Sequence, residues 1–187
     1  MKQILLIFIG LSMLSCNKKE IETKKVEINK VESFDTIISV NKVKYPFYDF
    51  DQIEYYKFNL TSDQEESLRK TDSIGFKILM QDFPKTVADP IFYGKLNQNY
   101  SLKKMSSKWN TIISEIYSEK FSGQFAYRAC DAFYRDILIF KKKDKIVGVS
   151  KICFECELNW TIGSERNVDL LGQEGDYEKL KKILSKQ

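Results

Sequence analysis

Three of the four cysteines lie in the second half of the chain, at Cys130, Cys153 and Cys156. A thiol can form a disulfide, bind a soft metal ion or take part in redox exchange, so these three cysteines are the first candidates for a functional site. These cysteines bracket two runs rich in β-branched and aromatic residues, 135–140 and 146–154. The polar segment 141–145 separates the runs, which predicts a β-hairpin with a loop of about four to six residues.

The predicted hairpin brings Cys130 near Cys156. If Phe140 lies opposite Val147 or its neighbour, the register extended backwards places these two cysteines close together. Residues three apart in a regular strand lie roughly 10 Å apart on opposite faces, whereas a disulfide needs Cα atoms within about 7 Å. Cys153 and Cys156 are therefore bonded to each other only if the strand turns between them. Otherwise Cys130 pairs with one of them, and Cys156 is the favoured partner.

Three kinds of site fit these cysteines, and the sequence leaves them open. We favour a structural disulfide with one buried thiol left over and no cofactor, which in the chain-entropy model contributes roughly 3–4 kcal/mol. A metal site on Cys130, Cys153 and Cys156 would suit Zn²⁺ or Cu⁺, although a closed zinc site needs a fourth ligand. A redox dithiol is the third, although its C-x-x-C follows a strand and lacks a helix dipole to lower a thiol pKa. Glu157 stands where a c-type haem needs histidine, which excludes that cofactor.

The pattern R-x-x-x-x-F followed by I-C-F-E-C occupies residues 135–140 and 152–156. It resembles small uncharacterised bacterial envelope proteins that carry a cysteine before a hairpin and C-F-x-C after it. The resemblance is confined to the hairpin region and implies that Cys130, Cys153 and Cys156 form one unit. It implies no activity.

The N-terminus has the pattern of an export signal. Residues 1–15 hold one basic residue, Lys2, and then the apolar run 4–14, which is too short to span a bilayer but fits a signal-peptide core. Ser15 precedes Cys16 and a polar segment follows, so the region resembles a bacterial lipoprotein precursor cleaved by the type II signal peptidase. The resemblance implies that Cys16 is acylated and anchors the protein to a membrane. An ordinary secretory signal with a coincidental cysteine is the alternative.

A charged segment follows the lipidation site. Residues 17–32 are dense in lysine and glutamate and contain no aromatic residue, which predicts a flexible, solvated tether. Asn17 is not the aspartate that marks inner-membrane retention in some bacterial lipoproteins, so the resemblance favours the outer membrane of the cell envelope. The predicted organisation is a signal peptide at 1–15, the lipidated cysteine and tether at 16–32, and a single domain at 33–187.

Residues 33–187 are predicted to form an α+β domain. We expect a small, mostly antiparallel sheet with the hairpin at about 135–154 in its centre, backed by two or three helices. The other predicted strands are 34–40, 53–60 and 158–162. The predicted helices follow a capping box at Ser62 and Glu65 and cover 102–117 and 176–184. Residues 75–83 fit a helix or a strand, and 89–100 are predicted to be a loop.

The composition excludes several classes of function. The chain has no histidine, which removes Ser-His-Asp and Cys-His catalysis and the commonest general base. It contains no G-x-S-x-G, P-loop or dinucleotide-binding motif, and we assign no catalytic residue. Asp131 and Asp136 are expected to be solvated or to act as caps. With 30 basic and 26 acidic residues and no sustained basic stripe, the chain is not expected to bind nucleic acid.

Other surface features could contact a partner. An aromatic group between residues 45 and 56 could stack on a glycan or dock an envelope protein, although such residues more often form a core. Its members are Tyr45, Phe47, Tyr48, Phe50, Tyr55 and Tyr56. The basic turn 141–145 could meet an anionic surface, but lysines at a hairpin tip are usually solvated. Asp35-Thr36-Ile37 and Asp72-Ser73-Ile74 match short O-glycosylation sites.

Taken with the export signal, these features predict a lipid-anchored envelope protein with a non-catalytic binding or assembly role. A thiol-based metal-binding or redox protein using Cys130, Cys153 and Cys156 is the alternative. Three thiols converging at an accessible edge would favour the alternative, whereas one bonded pair with a remote third thiol would favour the first.

Overall fold

The computed structural model describes residues 47–118, 129–164, 168, 171 and 176–187. Five strands in these residues form one antiparallel sheet in the order β2-β1-β3-β4-β5. The strands are β1 (Gln52–Phe58), β2 (Tyr100–Lys104), β3 (Asp136–Lys142), β4 (Lys145–Cys153) and β5 (Leu158–Ile162). The α-helices are α1 (Ser62–Thr71), α2 (Ser73–Met80), α3 (Pro90–Asn99), α4 (Asn110–Ser118) and α5 (Asp176–Leu184). The predicted α+β class is therefore confirmed.

Helices pack on both faces of the sheet. Alternate residues of β3 enter two separate cores, Leu138 and Phe140 on one face and Ile137 and Ile139 on the other. The first core is completed by α4 and α5, and the second by α1, α2 and α3. A strand covered on both faces needs apolar side chains on both, which explains the unbroken apolar run at 137–140. The described residues thus hold more helices than the two or three expected.

The predicted hairpin is present, with a shorter loop than expected. Phe140 lies opposite Gly148, the neighbour of Val147, so the predicted register is correct. The loop consists of two residues, Lys143 and Asp144, with φ angles of 47° and 63°. Two consecutive left-handed residues are typical of the two-residue hairpin turn whose twist matches that of antiparallel strands. Strands β3 and β4 therefore pair as far as Lys142 and Lys145, inside the segment that was predicted to be a loop.

The region predicted as a loop at 89–100 contains helix α3. The carboxylate of Asp89 accepts hydrogen bonds from the amides of Ile91 and Phe92, at 3.0 and 3.1 Å, and so caps the helix. Pro90 occupies the first turn, where its missing N–H costs nothing. Asp89 and Pro90 are together a start signal for a helix, and the loop prediction was wrong because it did not weigh them.

The helix predicted over 102–117 is correct only in its second half. Helix α4 begins at Asn110, whereas Tyr100–Lys104 form strand β2 beside β1. Leu102, which helical spacing placed on the buried face, is 48% exposed. An edge strand pairs with residues far away in the sequence, and local periodicity does not report that pairing.

Other elements agree with the sequence analysis. Strand β5 and helix α5 have the predicted bounds, and Tyr177, Leu180 and Leu184 of α5 are buried. Helix α1 is present, but Ser62, the predicted cap, is its first residue. The capping pair is Thr61 and Gln64, one residue earlier than predicted, with the Thr61 amide 2.9 Å from the Gln64 side chain. The ambiguous region 75–83 is largely helix α2. The strand predicted at 34–40 lies outside the described residues.

Gly148 allows a tyrosine ring to lie directly against the centre of β4. A Cβ atom at this position would lie 2.1–2.7 Å from ring atoms of Tyr48. That ring is buried, and its hydroxyl donates a hydrogen bond to the carbonyl of Ile162 on β5. The ring therefore has little freedom to move away from an added methyl group.

We expect G148A to lower the free energy of unfolding by about 1–3 kcal/mol, the usual cost of overpacking a core. The control is G94A on helix α3, where an added Cβ meets nothing within 4 Å. Because alanine favours a helix over glycine, G94A should be stabilising by up to about 1 kcal/mol. Urea unfolding of both variants tests the prediction, and a G148A protein as stable as the parent would contradict it.

Candidate functional site

Cys130 and Cys156 are joined by a disulfide, with their Cα atoms 5.8 Å apart. This is the pairing that the sequence favoured. Cys130 is exposed in the segment that leads into β3, whereas Cys156 is buried in the turn after β4. The bridge therefore ties the entrance of the hairpin to its exit.

The C-x-x-C sequence spans the turn that joins β4 to β5. Cys153 ends β4 opposite Leu158, so the strand does turn between the two cysteines. Cys153 is a free thiol that is 1% exposed, and it packs with Cys156 and Tyr134 in a small apolar cluster. The backbone N–H of Cys156 donates to Cys153 Sγ at 3.4 Å. The third thiol is thus buried but adjacent to the bridge. This arrangement lies between the two considered from the sequence, which were three thiols converging at an accessible edge and one bonded pair with a remote third thiol.

The protonation state of Cys153 follows from its surroundings. Burial raises the pKa of its thiol, and amide hydrogen bonds to the sulfur partly oppose that shift. The carboxylate of Glu155 lies 3.7 Å from the sulfur and also disfavours the thiolate. Cys153 is therefore a protonated thiol at neutral pH.

The metal site considered from the sequence needs all three cysteines as thiolates. In this structure two of them are in the bridge, and among the described residues no three His, Cys, Asp or Glu side chains converge as metal ligands. Zn²⁺ or Cu⁺ binding therefore stays a prediction for the reduced protein only.

Arg135 connects the start of β3 to two neighbouring elements. Its guanidinium binds both carboxylate oxygens of Glu65 on α1, at 2.8 and 3.1 Å. It also lies 3.5 Å from Glu155 in the cysteine turn. A two-point contact of this kind fixes the orientation of the guanidinium. The arginine of the R-x-x-x-x-F pattern thus holds the bridge region against the helical layer.

Asp136 is buried, which corrects the expectation that it is solvated or a cap. Its side chain accepts hydrogen bonds from the Tyr55 hydroxyl at 2.5 Å and from Lys57 Nζ at 2.8 and 3.0 Å. The residue is 3% exposed because it takes an inward position on β3, directly opposite Lys57 on β1. Asp131, by contrast, is exposed as expected.

A cavity of about 290 Å³ opens beside Asp136. Its cationic residues are Lys57, Lys103 and Lys181, and its apolar walls are Tyr55, Phe154 and Leu184. Lys57 is paired with Asp136, so Lys103 and Lys181 give this cavity, hereafter the lysine cavity, an excess of positive charge. Phe154 belongs to the C-F-E-C turn, so the disulfide-held turn supplies one wall of the lysine cavity.

Lys151 is a second buried charged residue that the sequence analysis missed. Its side chain is completely buried, and Nζ donates hydrogen bonds to the carbonyls of Gln81 at 2.5 Å and Phe83 at 2.9 Å. It also lies 4.4 Å from the centre of the Tyr134 ring. Burial lowers the pKa of Lys151 well below its ordinary value. A lysine inside the apolar run 146–154 was the signal that could have identified it.

The remaining sequence candidates have simpler positions. Four members of the aromatic group, Phe47, Tyr48, Tyr55 and Tyr56, are buried, so the core alternative is correct for them. In the basic turn, residues 143–145 are exposed, while Lys141 pairs with Glu54 and Lys142 with Asp49. Asp72 caps helix α2. Cys16, Tyr45 and the triplet at 35–37 lie outside the described residues.

Comparison with protein-family models, with curated proteins and with solved structures finds no match. In the part of the chain that the structure describes, no helix has both the length and the apolar character that crossing a bilayer requires.

Proposed function

We propose that this protein is anchored by lipid in the cell envelope, at the outer membrane, and has a non-catalytic binding role. The Cys130–Cys156 disulfide carries the proposal, because structural disulfides persist in oxidising compartments outside the cytosol. The signal-peptide pattern at 1–15 and the tether at 16–32 support the same compartment by an independent route. Acylation of Cys16 with at least two chains would hold the domain stably at the membrane surface.

The anchor is tested by the intact mass of the protein extracted from membranes. We expect a chain that begins at Cys16 and carries a diacyl or triacyl modification, together with one disulfide. The control C16S should lack the modification and should leave the membrane fraction. An unmodified mass in the parent protein would contradict the anchoring proposal.

The lysine cavity is the proposed place of binding. The ammonium groups of Lys103 and Lys181 suit an anionic group, since neither forms an ion pair within the described residues, and the walls of Tyr55, Phe154 and Leu184 suit an apolar body. Both carboxylate oxygens of Asp136 are already bonded to Tyr55 or Lys57, which reduces their repulsion of an anion. The ligand class is therefore an organic anion, either a free molecule or an acidic, apolar segment of an envelope partner.

Binding is tested with the anionic aromatic probe 1-anilinonaphthalene-8-sulfonate, followed by fluorescence titration. Reversing two charges by K103E/K181E should weaken binding tenfold or more, since each charge near an anion contributes about 1 kcal/mol even in water. The control K145E changes an exposed charge at the hairpin tip and should bind the probe as the parent does. Equal affinity of parent and K103E/K181E would show that the lysine cavity is not the site, and would leave the anchoring result unaffected.

The thiol-based alternative has one observation in its favour, the contact between Cys153 Sγ and the Cys156 amide. A metal-binding protein would need the bridge reduced, with Cys130, Cys153 and Cys156 free to supply thiolates. Metal analysis of the membrane-extracted protein, before and after reduction, tests this alternative. Stoichiometric zinc or copper with three free thiols would favour it over the binding proposal.

A further inference from the structure

We propose that the Cys153 thiol exchanges with the Cys130–Cys156 disulfide inside the folded domain, forming a Cys153–Cys156 bond and releasing Cys130 as an exposed thiol. The released thiol would take part in thiol–disulfide exchange with a disulfide of another envelope protein, forming a mixed disulfide and releasing one thiol of that protein. This activity is separate from ligand binding in the lysine cavity and does not depend on it.

The three sulfurs are ordered from the interior to the surface. Cys153 is 1% exposed, Cys156 is 2% exposed and Cys130 is exposed to solvent. Cys153 and Cys156 share one apolar cluster, so the inner sulfur of the bridge is the one in reach of the free thiol. A thiolate attacks a disulfide with the leaving sulfur on the far side. Attack by Cys153 on Cys156 therefore expels Cys130, which faces solvent.

The turn between β4 and β5 makes the new bond possible. In a regular strand Cys153 and Cys156 would lie roughly 10 Å apart, beyond the reach of a disulfide. Here Cys153 is the last residue of β4 and Cys156 lies within the turn at 154–157 that returns the chain to Leu158, so the Cys156 amide already contacts Cys153 Sγ at 3.4 Å. The new bond would thus join the end of β4 to the turn that follows it.

The exchange is balanced without an oxidant or a reductant. Cys153 loses its proton, its sulfur bonds to Cys156 Sγ, and the bond between Cys156 and Cys130 breaks. The bonding electrons leave with Cys130 as a thiolate, which takes up a proton from solvent. One disulfide is present before and after the step.

The surroundings of Cys153 make the exchange slow but directed. Its protonated thiol must first ionise, and the N–H of Cys156 stabilises the thiolate when it forms. Among the described residues, the ionisable groups that interact with the sulfur are Glu155, Arg135, Tyr134 and Tyr177. The arginine lies 3.5 Å from the glutamate and reduces its repulsion. The Cys130–Cys156 bond is the form present in the structure, and the ionisation of Cys153 limits the rate at which Cys130 is released.

Alkylation of the folded protein tests the exchange. The membrane-extracted full chain is incubated with excess iodoacetamide without denaturant, and its peptides are mapped without reduction. We expect alkylated Cys130 together with a Cys153–Cys156 crosslink, and no alkylation of Cys130 in C153S. Alkylated Cys153 with an intact Cys130–Cys156 bridge would overturn the proposal, as would complete absence of alkylation. Unfolding would expose Cys153 and give alkylated Cys153 with an intact Cys130–Cys156 bridge. Unfolding is therefore not mistaken for exchange.

A second variant tests the product directly. C130S retains Cys153 and Cys156 as thiols, and oxidised glutathione should convert them to an intramolecular disulfide. Formation of glutathione adducts alone, in protein whose circular dichroism matches the parent, would overturn the proposed product. If C130S does not fold, alkylation of the parent chain still decides the question.

Discussion

C130S/C156S should lower the free energy of unfolding by about 3–4 kcal/mol. The bridge closes a loop across a sequence separation of 26 residues. In the chain-entropy model, removing such a crosslink raises the conformational entropy of the unfolded chain and so stabilises the unfolded state by about this amount. The bridge connects the entrance of β3 to the turn after β4, so the loop that it closes contains the whole hairpin. Few single sites in a domain of this size contribute as much.

Urea unfolding monitored by circular dichroism measures this loss. Reducing the parent protein with dithiothreitol should give the same stability as the double serine variant, and the variant itself should not respond to dithiothreitol. The variant should also bind the sulfonate probe more weakly, because Phe154 in the freed turn is a wall of the lysine cavity. A loss below about 1 kcal/mol would contradict the expectation from the chain-entropy model.

K151M should remove a pH dependence of stability that the parent protein shows. In the unfolded chain Lys151 has a pKa of about 10.4. Burial lowers the pKa in the folded state, so between the two values the unfolded chain holds more protons. The contribution of Lys151 to the stability of the parent therefore rises with pH in this window, by up to about 1.4 kcal/mol per pH unit, and falls as the pH is lowered towards the folded pKa.

The methionine variant also removes the Lys151 donor from two carbonyls, of which that of Gln81 still accepts from the Phe83 amide. Gln81 and Phe83 lose the hydrogen bonds from Lys151, which costs about 1–3 kcal/mol for a buried group. K151M should consequently be less stable than the parent near pH 9, and the difference should narrow or reverse at lower pH.

Urea unfolding at several pH values below 10 separates this effect from that of the tyrosines. Burial raises the pKa of Tyr48, Tyr100 and Tyr117, so these groups stay protonated in the folded state and lower stability only above about pH 10. K145M at the exposed hairpin tip is the control and should follow the parent at every pH. If the free energy of unfolding depends on pH in the same way for the parent and K151M, Lys151 keeps an ordinary pKa in the folded state.

The elements that the sequence predicted well are those with strong local signals. Helix α5 combines an apolar stripe with charged residues on its other face, and β3 and β4 are two dense apolar runs beside a polar turn. The pairing of Cys130 with Cys156 followed from the register of that hairpin. In each case the residue pattern that predicts the feature lies within one short segment or the segment next to it.

The features that the sequence did not predict depend on contacts between distant segments. Strand β2 exists because it pairs with β1, and the apolar spacing from Leu102 onwards resembles a helix by coincidence. Asp136 and Lys151 are charged residues inside apolar strands, and their partners Lys57 and Gln81 come from other elements. Only the assembled sheet makes a buried charge acceptable, by bringing its partners within hydrogen-bonding distance.

The outermost strands are also the shortest ones in the sheet. Strands β2 and β5 have five residues each, whereas β1, β3 and β4 have seven to nine. Strand β2 ends with the exposed Lys103 and Lys104, whose charges oppose the approach of an identical edge. Under the proposed lipid anchoring, copies of the protein would meet at high local density in the plane of a membrane. The short edge strands, and the lysines at the end of β2, would oppose the joining of neighbouring sheets into continuous aggregates.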